Sequence, residues 1–192
     1  MNGKIKMAVV LIAVSTVSAV MLAWINAFSY DTIVRNKERK LKTAIIAALG
    51  LPLTENIDRQ YVENIREVDT PAGKVYLSDG RAAASVSGSG FWGPIVLVVG
   101  VERNGYTLTG IEVLEQQETP GLGARIEETE FRNQFRGKRT DVPILFAAKG
   151  DKPGGNDVVA ITGATLTSRF VEAILKDKLK PYLEEIRRVE GG

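Results

Sequence analysis

A chain of 192 residues has room for one domain and an accessory segment. Its 44% hydrophobic and 25% charged residues suit a folded protein, and its net charge of +2 is spread too evenly to offer nucleic acid a basic face. The absence of cysteine and histidine removes iron–sulfur clusters, disulfides, thiol nucleophiles, His-ligated haem or zinc and His-based triads. No loop of spaced acids offers itself to Mg²⁺ or Ca²⁺, so no metal site is expected and any redox role falls to an organic cofactor.

Residues 1–6 read as a short tail containing Lys4 and Lys6. From Met7 to Tyr30 no residue is charged, and about 20 apolar residues suffice to cross a bilayer as a helix, so 7–30 reads as a transmembrane helix in contact with lipid. Trp24 and Tyr30 stand where interfacial aromatics belong, and the run exceeds the roughly 7–15 apolar residues of a cleaved signal peptide. Arg35, Lys37, Arg39, Lys40 and Lys42 follow the span and outnumber the lysines before it. By charge alone, that balance would keep the following domain in the cytoplasm.

Residues 31–70 read as a helical linker region. Ile33, Val34, Leu41, Ala44, Ile45 and Ala48 continue a helix to about Gly50-Leu51-Pro52, and Ile57, Tyr61 and Ile65 suggest a second, short one. The remainder, 71–192, reads as one domain. Lys74–Leu77, Ala83–Val86, Ile95–Val101 and Tyr106–Leu114 have strand character, with Asp79-Gly80 and Asn104-Gly105 as turns. Pro143–Phe146 and Val158–Ile161 are two shorter candidates. From Leu166, the positions Phe170, Val171, Ile174, Leu175, Leu179, Leu183 and Ile186 describe an amphipathic helix broken near Pro181. Strands first and helices at the ends give an α+β fold with a small, mostly antiparallel sheet.

Two glycine-containing strings carry the chemistry. Thr162-Gly163-Ala164-Thr165-Leu166-Thr167-Ser168 falls where a strand meets the long helix. A helix start presents unpaired N–H groups and partial positive charge to an anion such as phosphate, and Gly163 and Ala164 allow close approach. The plainer alternative is that Thr162 or Thr165 caps the helix. Glu118-Thr119-Pro120-Gly121-Leu122-Gly123 is a tight turn that can lie flat against a planar ligand, or simply turn the chain.

Gly88-Ser89-Gly90-Phe91-Trp92-Gly93-Pro94-Ile95, Glu118 to Gly123, and Thr162 to Thr165, in this order behind one apolar span, resemble the G subunit of Rnf complexes. More distantly, they resemble the C subunit of sodium-pumping NADH:quinone oxidoreductase. The resemblance covers roughly Lys74 to Leu175 and implies an FMN-binding domain in which Thr165 carries FMN covalently through a phosphoester. A flavin transferase using FAD would install it. Family members place an aspartate three residues before the string; here that position is Val159, and Asp157 is the nearest acid.

The resemblance also implies that Glu118, Thr119, Gly121, Leu122, Gly123 and Trp92 border the flavin ring. Trp92 then either stacks on the ring or is a buried structural residue; Glu118 either tunes the flavin or is a solvated loop acid. Thr167 and Ser168 are expected as phosphate donors. The implied role is an electron-transfer subunit in a complex coupling ferredoxin and NAD⁺ to Na⁺ or H⁺ movement, together with other membrane and peripheral subunits. Its domain would lie outside the cytoplasm, on a single-pass anchor in the cytoplasmic membrane, against the charge count. A free-standing anchored FMN carrier and a flavin-free binding or scaffold module remain alternatives.

Overall fold

The computed structural model describes residues 3–148, 150, 151 and 154–191, with side chains described up to 189. The first two residues of the expected tail therefore lie outside the described residues. From Gly3 onward the tail, the apolar run and the start of the expected linker form one helix, α1 (Gly3–Ala48), long and apolar enough to cross a membrane. None of its apolar window is buried within the protein. Two compact units divide this helix, one reaching to Arg39 and one starting at Lys40.

The second unit is built on a five-stranded antiparallel meander in the order β1 (Arg66–Thr70), β2 (Gly73–Ser78), β3 (Arg81–Ser89), β4 (Pro94–Glu102) and β5 (Leu108–Glu115). Alternation assigns the two faces, because successive strand side chains point to opposite sides. Val75, Leu77, Ala82, Val86, Leu97 and Val99 enter the larger core. The intervening Tyr76, Ala83 and Val98 enter a smaller core with Ala44, Ile45, Ala48 and Leu49 at the end of α1 and with Ile57 and Tyr61 of α2 (Ile57–Asn64).

The larger core is covered by α4 (Thr165–Lys178) and α5 (Lys180–Gly191), together with Phe131 and Phe135. The break between these helices falls just before Pro181, which cannot continue a hydrogen-bonded helix interior. A separate parallel pair, β6 (Phe146–Ala147) with β7 (Val158–Val159), leads into the start of α4. The architecture is α+β, with an antiparallel main sheet.

Three elements differ from the sequence expectation. The expected helical linker 31–70 ends in a strand: Arg66–Thr70 is the edge strand β1, pairing along its whole length with β2. Its charged residues hide it from a pattern search, because only Val68 packs against the core. The linker is also not separate from the domain, since Lys40 onward and α2 belong to the folded unit. A 3-10 turn (Gly123–Glu127) and α3 (Thr129–Asn133) have no counterpart in the sequence expectation; at five residues each they are too short to show a helical period, and buried Ile126 and Phe131 fix them instead.

Candidate functional site

The site begins where β7 hands the chain to α4. Ser168 is fully buried; its hydroxyl accepts from the Ile161 N–H at 3.0 Å and donates to the Ala164 carbonyl at 3.2 Å. That pair of bonds closes the turn and leaves Ser168 facing inward, contrary to its expected role as a phosphate donor. Gly163, with φ of +79°, swings the chain into the helix.

The N-cap residue of α4 is Ala164, and no side chain caps the helix. Neither Thr162 nor Thr165 serves as the cap, because the residue at the capping position has no side-chain oxygen. Both are exposed, and among the described residues no hydrogen bond engages the Thr165 hydroxyl. Thr165 is the first residue of a 14-residue helix whose first intrahelical acceptor, Ala164 O, bonds Ser168 N. The first-turn amides before Ser168 have no intrahelical acceptor, and the helix dipole adds positive character there.

Thr167 turns away from that opening. It is 4% exposed, and its hydroxyl donates to Glu118 Oε2 at 2.5 Å. Glu118 is no solvated loop acid: it is 5% exposed, and Oε1 accepts from the backbone N–H groups of Phe91 at 2.8 Å and Trp92 at 3.1 Å. One carboxylate thus meets the 90–93 turn, its own loop and the first turn of α4.

The 118–123 loop has the geometry its sequence suggests. Leu122 N–H and Ala124 N–H both donate to Thr119 O at 3.1 Å, with Pro120-Gly121 at the corner and φ of +75° at Gly121, the pattern of a type II turn. Thr119 and Gly121 are exposed. Leu122 reaches the other string, its Cδ2 lying 3.4 Å from where a Cβ on Gly163 would stand. Gly123 is packed so closely that a Cβ would lie 2.6 Å from Thr167 Oγ1 and 2.7 Å from Glu118 Oε2. The two strings, 42 positions apart at Gly121 and Gly163, are therefore in contact.

Trp92 is 67% exposed and packs edge-on against the half-exposed Phe91, ring centres 5.1 Å apart. Burial in a core is not its role. Phe91, Trp92, Leu122 and Leu166 are all large, apolar and exposed, on segments that converge at the start of α4.

Asp157 is occupied elsewhere: its carboxylate accepts from Gly154 N–H at 2.7 Å, and its own N–H donates to Gly154 O. Val159 is held by Gln134, whose side-chain oxygen accepts from Val159 N–H at 2.8 Å and whose amide donates back to Val159 O at 3.4 Å. Gln134 thereby acts as an extra strand partner just upstream of Thr162. With Arg125, Phe131, Val159, Ile161 and Thr162 it lines a cleft of about 310 Å³. No sequence signal marks Gln134, since a lone Gln after a five-residue helix fits no motif.

An uncapped exposed hydroxyl, an open helix start and neighbouring exposed aromatics fit a ligand with a phosphate at one end and a planar ring at the other. Comparison with known proteins agrees: residues 90–180 match the FMN-binding domain family. The chain carries an FMN-binding domain. It is 36% identical over 161 residues to the C subunit of the Na⁺-translocating NADH-quinone reductase of Vibrio anguillarum, covering 76% of this chain and 61% of that protein. The chain thus spans less than two thirds of that relative's length. Over 194 residues it is 27% identical to the G subunit of the Na⁺-translocating ferredoxin:NAD⁺ oxidoreductase complex of Acetobacterium woodii, covering 92% of this chain and 90% of that protein. The crystal structure of Shewanella oneidensis NqrC superposes with a TM-score of 0.71 at 17% identity, over 80% of this chain and 99% of that one. The FMN-binding domain thus has an NqrC-like fold.

Proposed function

We propose that this chain is a membrane-anchored electron-transfer subunit carrying FMN as a phosphoester on Thr165. The observation that carries the reading is the Thr165 hydroxyl itself, exposed and uncapped at the open start of α4. Bound FMN would supply reversible electron storage in a protein that has no cysteine for disulfide or iron–sulfur chemistry. Attachment is a transfer from FAD catalysed by a flavin transferase. Thr165 Oγ bonds to the FMN phosphorus, the pyrophosphate bond to the AMP half breaks, AMP leaves and the hydroxyl proton is released.

The protein's own contributions follow from its geometry. The open amides of the first turn and the exposed Thr162 receive the phosphate end. The loop from Glu118 to Gly123, with Leu122 against Gly163, and the Phe91–Trp92 pair border the ring. Thr167 and Ser168 support the turn from within.

The relation to both subunit types, and the match over 90% of the G subunit of the ferredoxin:NAD⁺ oxidoreductase, support a place in an Rnf-type complex that couples ferredoxin and NAD⁺ to Na⁺ or H⁺ translocation. Other membrane and peripheral subunits would complete the electron route. The apolar stretch of α1 anchors the chain in the cytoplasmic membrane, with the domain on the extracytoplasmic side.

Intact-mass measurement of the native protein should show one added FMN, absent in Thr165→Ala. The variant should stay folded, because a hydroxyl that caps nothing contributes about 0.5 kcal/mol or less. Flavin that survives denaturation of Thr165→Ala would refute the attachment site. Co-purification with polytopic subunits separates this role from that of a free-standing carrier. Protease added outside intact cells with a permeable outer layer should digest the domain; protection equal to a cytoplasmic marker would reverse the sidedness.

A further inference from the structure

We propose that Glu118 is a positioning residue, whose buried carboxylate fastens the Phe91–Trp92 backbone to the first turn of α4 and so holds Trp92 toward the ligand on Thr165. The functional consequence rests on the flavin reading above; the geometry does not.

Three donors converge on this one group from two distant parts of the chain. The N–H groups of Phe91 and Trp92 share Oε1, and the Thr167 hydroxyl takes Oε2. Consecutive backbone N–H groups form a concavity suited to an anion, and hydrogen bonds to a charged acceptor are stronger than neutral ones. Among the described residues no cation shares the carboxylate; dipoles alone hold it. Two glycines admit it: a Cβ would lie 2.6 Å from Oε1 at Gly90 and 2.7 Å from Oε2 at Gly123. Both oxygens are roofed by backbone at positions where any side chain would intrude.

Trp92 needs such a fixture. At 67% exposure its ring has Phe91 as its aromatic neighbour and lies outside the core, so the backbone beneath it sets the point from which the ring reaches out. Holding that backbone before a ligand arrives lowers the ordering cost of stacking on it. The same carboxylate holds α4, so the attachment end and the ring end of the site share one support.

The test uses the full chain in detergent, in a Trp24→Phe background that leaves Trp92 as the sole tryptophan. Glu118→Gln removes the charge but keeps a tether, because the Thr167 hydroxyl can turn to accept from the amide while the remaining oxygen still faces Phe91 and Trp92. Glu118→Ala removes the tether altogether. In Glu118→Ala, hydrogen exchange at the Phe91 and Trp92 amides should accelerate by roughly tenfold or more, the scale of a lost bond to a charged acceptor. Quenching of flavin fluorescence by Trp92 should be lost, while Glu118→Gln keeps most of both properties.

Thr167→Val cuts only the link to α4. It should lose the quenching and keep the amide protection, and it decides the matter if Glu118→Ala does not fold. Unchanged quenching in Thr167→Val, or unchanged exchange in Glu118→Ala, overturns the proposal. So does a flavin potential shifted as far by Glu118→Gln as by Glu118→Ala, since charge alone would then suffice. If the native protein carries no flavin, the functional reading fails. The exchange measured with and without Glu118→Ala in a flavin-free Thr165→Ala background then still decides whether Glu118 fastens the loop.

Discussion

Two helix ends meet the sheet domain, and the protein treats them in opposite ways. At the end of α1 every carbonyl is claimed: Ile45 O, Ala47 O and Ile46 O accept from the N–H groups of Leu49, Gly50 and Leu51, and the sheet takes the next two. Thr109 Oγ1 donates to Ala48 O at 2.6 Å and Arg81 Nη1 donates to Leu49 O at 2.7 Å. The helix lies so close over Gly100 that a Cβ there would overlap the Ala48 carbonyl. At the start of α4, the corresponding unpaired amides receive no capping side chain. The first two of those amides belong to the exposed Thr165 and Leu166, so this end is open to water or to a bound anion.

Variants can break that contrast from either side. The largest effect is expected from Thr165→Ala, which should abolish covalent flavin while leaving the α1 end undisturbed. Next is Gly100→Val, whose added atoms must push α1 off its seat. Overpacking of this kind costs about 1–3 kcal/mol, seen as a lower denaturation midpoint, and flavin content in the folded fraction should not change.

A smaller effect follows from closing the open end. Ala164→Ser puts an oxygen at the N-cap position and should stabilise the flavin-free protein by ~1 kcal/mol while slowing flavin attachment, because the new cap competes for the same amides. A more stable protein with unchanged attachment kinetics would mean that those amides do not receive the phosphate.

The smallest effect at neutral pH is none at all, and it concerns the α1 side. Burial, helped by the hydrogen bond to Glu67 at 2.8 Å, pushes the Tyr61 phenol well above its ordinary value. The unfolded chain then loses this proton first as pH rises. Stability from Tyr61 is therefore complete below the ordinary tyrosine range and declines through the alkaline region above it. Tyr61→Phe should flatten that alkaline decline in a denaturant titration against pH.

Where the sequence succeeded, the signal was local. The apolar run, the alternating strands, the Pro120-Gly121 turn and the amphipathic helix each express a constraint confined to a few neighbouring residues. Where it fell short, the deciding contact lay far along the chain. Edge strand β1 exists because β2 pairs with it, although its own residues are mostly charged. Ser168 and Thr167 look like phosphate donors when read beside Thr165, yet both point inward, one to close its own turn and one to reach Glu118 across 49 positions. Gly121 and Gly123 also look equivalent in the sequence. A Cβ on Gly121 would meet open space, whereas Gly123 is wedged against Glu118 and Thr167, so only the second closes the site.

The sequence by itself determined the kind of chemistry available. A chain without cysteine or histidine that presents threonines at a strand-to-helix junction must hold an organic cofactor if it is to carry electrons. It also determined the apolar span, the antiparallel sheet and the long C-terminal helix, because hydrophobic periodicity records which face of each element is buried. Only the tertiary structure decided which polar groups are spent internally and which are left for a ligand. A hydroxyl or carboxylate looks the same in a sequence whether it faces water or three protein donors. Glu118 is the plainest case: its meaning depends on two backbone amides 26 and 27 residues before it and a threonine 49 residues after it, brought together when the sheet and α4 pack around one core.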